Sequence, residues 1–151
     1  LFWINITMLI SYFIWGYILP KISDYGISSI KLIKLGLPIS YFSLFLIIYF
    51  GNNAGAFLFT IYIMTSIVIS LTQPAIALNF SKNLAGKSLT SFNVFLFSGT
   101  FFVQWGIGLV IDLCNNKGFD ILSSYRISFS IFLFLCVLSY IFFIYLNKNE
   151  N

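Results

Sequence analysis

Polar and apolar positions do not alternate along this chain; they come in long blocks. Stretches without any charged residue run from Leu1 to Pro20, Leu35 to Ser81, Ser88 to Ile111 and Ile127 to Asn147. An apolar helix of roughly 20 residues spans the ~30 Å hydrocarbon core of a bilayer, so each block is long enough to cross one. The second block is long enough to cross twice. Gly51-Asn52-Asn53-Ala54-Gly55 divides it with turn chemistry. The pattern therefore predicts five helices, over about 1–20, 32–50, 56–79, 87–113 and 124–146. Transmembrane β-strands alternate polar and apolar residues, and these runs do not. The expected class is an all-α integral membrane protein with the lipid bilayer as its first partner.

Composition sharpens this reading. Of 151 residues 60% are hydrophobic and only 8% are charged, where a soluble domain carries about 25%. Soluble enzyme, disulfide scaffold, disordered tail and nucleic-acid binder are all excluded as working classes. The net charge of +4 comes from basic residues standing singly between apolar runs, not from a patch that could hold nucleic acid. Lys21, Lys31, Lys34, Lys82, Lys87 and Lys148 fall on one side of a five-span topology, and Lys117 and Arg126 on the other. Basic residues concentrate on the cytoplasmic side, so the C-terminus is expected in the cytoplasm and Leu1 at the outer face. Cys114 and Cys136 lie about half a bilayer apart and are expected to be free thiols. The chain opens at Leu1 inside an apolar run, with no basic n-region before it, so a fragment of a longer gene product is expected rather than signal cleavage.

Polar residues inside the spans carry the candidate chemistry, because lipid-facing positions do not favour amides. Tyr62, Ser66, Ser70 and Gln73 follow helical spacings along the third span. Pro74, which cannot donate to Ser70's carbonyl, should kink the span there. Asn93, Phe97, Thr100 and Gln104 share a stripe on the fourth span, and Asn5, Tyr12 and Gly16 on the first. The second and fifth spans are plainer and are expected at the periphery. Ser and Thr hydroxyls serve chiefly as helix glue or bond their own backbone. Gln73, Asn93 and Gln104 are candidates for lining a cavity, with Tyr62 and Ser66 beside them. Gly99, Gly106 and Gly108 are expected as close-packing positions.

Catalysis has little to work with. No histidine is available as base or ligand, and Asp24, Asp112, Asp120 and Glu150 all fall in loops or at helix ends. No catalytic residue, metal ligand or cofactor site is expected, and the chain is read as a non-enzyme. Gly86-Lys87-Ser88 imitates a phosphate loop but lacks the earlier glycine at Ser81. Gly106-Ile107-Gly108 lacks the third glycine of a dinucleotide fingerprint.

The stretch from Gln73-Pro74-Ala75-Ile76-Ala77-Leu78-Asn79-Phe80 through Leu84-Ala85-Gly86-Lys87-Ser88-Leu89-Thr90-Ser91-Phe92-Asn93 resembles the junction of the tenth and eleventh helices of bacterial major facilitator superfamily transporters. So does Val103-Gln104-Trp105-Gly106-Ile107-Gly108-Leu109-Val110-Ile111-Asp112. Pro20-Lys21-Ile22-Ser23-Asp24-Tyr25-Gly26 is similar to the family's cytoplasmic gating loop, with Pro for the usual Gly and Tyr25 for the usual Arg. The resemblance implies helices eight to twelve of a twelve-helix bundle in the bacterial inner membrane. The N-terminal half and helix seven would then be missing partners. It implies secondary active transport of a small solute by alternating access. The competing expectation is a non-transporting membrane protein, such as a channel subunit, a scaffold or a decayed gene product.

Overall fold

The computed structural model describes residues 2–24 and 28–147. Tyr25 and Gly26 of the gating-loop similarity, together with Leu1, Lys148 and Glu150, lie outside the described residues. Among the described residues the chain is helical with no strand: α1 (Phe2–Asp24), α2 (Ser29–Phe50), a 3-10 turn (Gly51–Asn53), α3 (Ala56–Ser66), a 3-10 segment (Ile67–Leu71), α4 (Thr72–Asn79), α5 (Lys82–Asn116) and α6 (Ile121–Leu146). Helices overrun the apolar blocks at both ends because backbone hydrogen bonding does not stop where hydropathy does. Long basic side chains such as Lys21 can continue a helix while their heads reach water.

Four of the five expected spans are long and apolar enough to cross a membrane: Ser29–Asn53, Ala56–Ala77, Lys82–Asn116 and Ile121–Leu146. The count of five is corrected by the first helix, whose apolar stretch among the described residues is Ile4–Ile18.

The helix ends follow from local chemistry. Ser28 caps α2 by accepting from Lys31 N–H. Gly51, at φ 56°, supplies the left-handed residue that stops it. Asp120 caps α6, accepting from Ser123 N–H at 3.1 Å. Hydrogen bonding from Ser123, first through its side chain and then through its N–H, holds the carboxyl below the usual carboxylate range.

α2 packs against α3, the 3-10 segment and α6, while α1 flanks α3 and α5 flanks α6 and α4. The core forms where α2 meets the 3-10 segment, from Ile33, Leu37, Val68 and Leu71, with Trp15, Tyr41, Tyr140 and Phe143 packed around them. The second helix is therefore the centre of the packing, which overturns its expected peripheral place. Small residues make this possible. Ser40 and Ser43 are buried on α2 and give their hydroxyls to Leu37 and Ile39 carbonyls of their own helix, so nothing polar is stranded. Gly36 lets Val68 approach so closely that a Cβ there would lie 2.8 Å from Val68 Cγ1. By contrast, a Cβ at Gly99, Gly106 or Gly108 would meet nothing within 4 Å. The close-packing glycine is Gly36, and the three expected ones face open space on a helix with no buried residue.

Pro38 lies inside α2 and removes the N–H that would have bonded to Lys34's carbonyl. Tyr140 of α6 supplies the replacement, its hydroxyl donating to that carbonyl at 2.6 Å. Lys34 Nζ donates to Asn147's carbonyl at 2.7 Å, just past the C-terminus of α6, where a cation also suits the helix dipole. At the opposite end Arg126 Nη2 donates to Tyr49's carbonyl at 2.9 Å, near the C-terminus of α2. The two helices are thus pinned antiparallel at both ends.

Two outcomes follow from this packing. Tyr140→Phe should leave Lys34's carbonyl unpaired and cost about 1–3 kcal/mol in detergent melting experiments. In a Pro38→Ala background, where the helix has its own donor, the same change should cost clearly less; equal costs would refute the link. Gly36→Ala should cost about 1–3 kcal/mol by overpacking. Val68→Ala should recover part of that loss when the two are combined, and no recovery would show that the contact is not limiting.

Candidate functional site

The third span does not simply kink at Pro74. It passes from α3 into the 3-10 segment Ile67–Leu71 and resumes as α4, with Pro74 in the first turn of α4. Helical donors are unpaired in a first turn in any case, so proline is accommodated there. The expected disturbance is present and lies immediately before the proline.

This segment rearranges the polar stripe. An α-helix turns about 100° per residue and a 3-10 helix about 120°, so five 3-10 residues add about 100° of rotation. Tyr62 and Gln73, which a continuous helix would align, end up serving different neighbours. Tyr62 lies within electrostatic reach of Tyr41 and Cys136, on α2 and α6. Tyr41 in turn packs edge-on against Tyr140, with centroids 5.8 Å apart. Ser66 gives its hydroxyl to Ile63's carbonyl. Ser70 and Gln73 instead face α1.

There they line a groove of about 240 Å³ with Tyr12, Trp15, Gly16, Leu71 and Pro74. Two of the sequence stripes, Tyr12 with Gly16 on the first span and Ser70 with Gln73 on the third, converge in it. Trp15 holds the groove's wall by donating its indole N–H to Met64's carbonyl at 3.4 Å, in the last turn of α3. Gly16 keeps the floor open, since a Cβ there meets nothing within 4 Å. Gln73 is exposed and makes no hydrogen bond with another described residue. The groove offers an amide, two hydroxyls and two aromatic faces, a set suited to orienting a small polar or amphipathic molecule without burying charge.

Asn93 and Gln104 lie elsewhere. Both are on α5, the first half-buried and the second exposed, and neither bonds another described residue. They are about 16 Å apart along the helix. Neither lines the α1 groove. Gln73 is about 9 Å from the end of α4 and Asn93 about 16 Å from the start of α5, so they also differ in height. Most Ser and Thr hydroxyls of α3 and α5, among them Thr60, Thr65, Thr90 and Thr100, bond their own helix three or four residues back. Ser124 and Ser128 of α6 bond across to α5, to Asn115 Oδ1 at 2.7 Å and Ile107's carbonyl at 3.1 Å. Both cysteines are free, as the sequence suggests.

Sequence periodicity missed Trp15 and Leu71 as groove residues. An aromatic next to the Tyr12–Gly16 stripe was visible, but its carbonyl partner 49 residues away was not. Compared with models of known protein families, with curated proteins and with solved structures, the chain shows no match.

Proposed function

We propose that this chain belongs to the membrane-embedded part of a secondary transporter for a small neutral or amphipathic solute. In this reading Gln73, Tyr12 and Ser70 orient the solute in the α1 groove. The observation that carries the reading is the interrupted third span. Its 3-10 segment falls at the midpoint of the apolar stretch and adjoins a groove with an unpartnered amide. Irregular backbone at membrane depth is tolerated where it is buried in protein or lines a cavity, and interrupted helices near the midplane are a recurring way of building transporter sites. The absence of charged side chains within the groove lining is what narrows the solute class.

Support for a larger bundle comes from α5. It spans 35 residues, none of them buried, and carries Asn93 and Gln104 among exposed Phe95, Phe97, Phe101 and Trp105. Lipid suits the aromatic residues and does not suit the amides. In the proposed assembly a second helical half covers this face, in the manner of the major facilitator superfamily, and Asn93 and Gln104 meet the solute pathway there. The basic residues orient the assembly with Lys21, Lys31, Lys34, Lys82 and Lys87 toward the cytoplasm.

In the full-length protein, Gln73→Ala should raise the apparent KM for the transported solute about 2- to 12-fold at unchanged surface expression, as expected for one neutral hydrogen bond. An unchanged KM would remove Gln73 from the site. Orientation is tested separately in intact cells: Cys114, in the last turn of α5, should react with an impermeant maleimide added outside, and Cys136 within α6 should not. Labelling of Cys114 only after the membrane is opened would invert the topology.

A further inference from the structure

The largest of the cavities described, about 420 Å³, lies at the end of the bundle away from Lys34, where the close of α2 meets the start of α6. Its walls are mostly apolar, with Ile48, Phe59, Leu122 and Phe129 among them, and Arg126 is the charged residue in the lining. Arg126 is half-used. Nη2 donates to Tyr49's carbonyl, but Nε is buried and has no hydrogen-bond partner. No ion pair reaches the guanidinium from another described residue. Gly51 fixes this placement, because a Cβ there would lie 2.7 Å from Nη2.

A guanidinium without a counter-charge in a mostly apolar lining is costly, and an anionic oxygen is its best complement. The depth is also informative. Arg126 lies five residues into α6, about 8 Å along the helix, which sets it near the boundary between headgroups and hydrocarbon if α6 spans the bilayer. We infer that this cavity is a binding site for a membrane phospholipid, with a phosphodiester oxygen accepting from the edge of the Arg126 guanidinium that lines the cavity and an acyl chain lying against Phe59, Leu122 and Phe129. The inference rests on the membrane-embedded reading of the chain and is independent of the α1 groove and of any solute. Bound lipid would give Arg126 a counter-charge and reinforce the α2–α6 junction.

The test is native mass spectrometry of the detergent-solubilised full chain titrated with palmitoyl-oleoyl phosphatidylglycerol, with oleate and inorganic phosphate as separate arms. The wild-type chain should retain the phospholipid, and Arg126→Gln should weaken retention about 10- to 100-fold, the range for losing a charged hydrogen bond. Arg126→Lys should restore most of it. Leu122→Trp fills the cavity while keeping the Arg126 and Tyr49 residues themselves, and it should also weaken retention, so a misfolded Arg126→Gln chain does not leave the question open. Equal phospholipid retention by the wild-type and Leu122→Trp chains, or tighter binding of oleate or free phosphate, would overturn the inference. Carbonate washing of membranes separates the two levels. A chain that resists extraction but shows no cavity-dependent lipid overturns this site alone, and a chain that is released overturns the membrane reading with it.

Discussion

A proline inside a helix obliges the carbonyl four residues earlier to find a donor elsewhere, and in this chain that obligation joins α2 to α6. Pro38 frees Lys34's carbonyl, and Tyr140 occupies it at 2.6 Å. The side chain of Lys34 reaches the end of α6 as well, so one residue meets α6 through both its backbone and its ammonium. Fifteen residues further along α2, Tyr49's carbonyl receives Arg126, which precedes Tyr140 by fourteen residues on α6. The matched separations fix an antiparallel register. Backbone carbonyls, which side-chain substitution cannot remove, are the acceptors in each case. In an apolar surrounding such bonds have little competition from water, and an unpaired carbonyl there is costly.

With α2 and α6 held, the third span has to fit against the exposed side of α2, and it does so by changing helix type. Val68 is fully buried against Gly36 in the middle of the 3-10 segment. The same segment turns the chain about 100° further than an α-helix would. Core packing and groove chemistry are therefore coupled. The residues that seat Val68 also decide that Tyr62 looks toward α2 and α6 while Gln73 looks toward α1. A change in the core at Gly36 would alter the groove without touching any residue that lines it.

The arrangement is lopsided. Buried residues gather on α2, the 3-10 segment and the first half of α6, while α5 contributes none. What holds α5 is its short connection to α6 and the hydroxyl bonds from Ser124 and Ser128, both to acceptors on α5. In the proposed membrane setting so little protein contact would suffice, because lipid is as good a surrounding for Phe and Leu as a protein core. In that setting exposed phenylalanines on α5 say nothing about instability, whereas Gln104 is an exposed amide that lipid does not suit.

The amino-acid sequence by itself determined the helical class, the breaker at Gly51 to Gly55 and the disturbance before Pro74. Each of these depends on residues within one turn of one another, or on uninterrupted apolar length. It also singled out Tyr12, Gly16, Ser70 and Gln73 from their spacing, without revealing that they share a groove. The tertiary structure alone decided which glycine packs closely, which helix is central and which donor satisfies the carbonyl freed by Pro38. Gly36 and Gly106 look alike until Val68 is placed against one and open space against the other. The requirement at Lys34 could be read from Pro38, but Tyr140 is 106 residues away in the chain. Hydropathy settles how much of a helix can avoid water. The direction in which each side chain looks depends on the rotation of every turn before it, and a five-residue 3-10 segment was enough to divide one stripe into two.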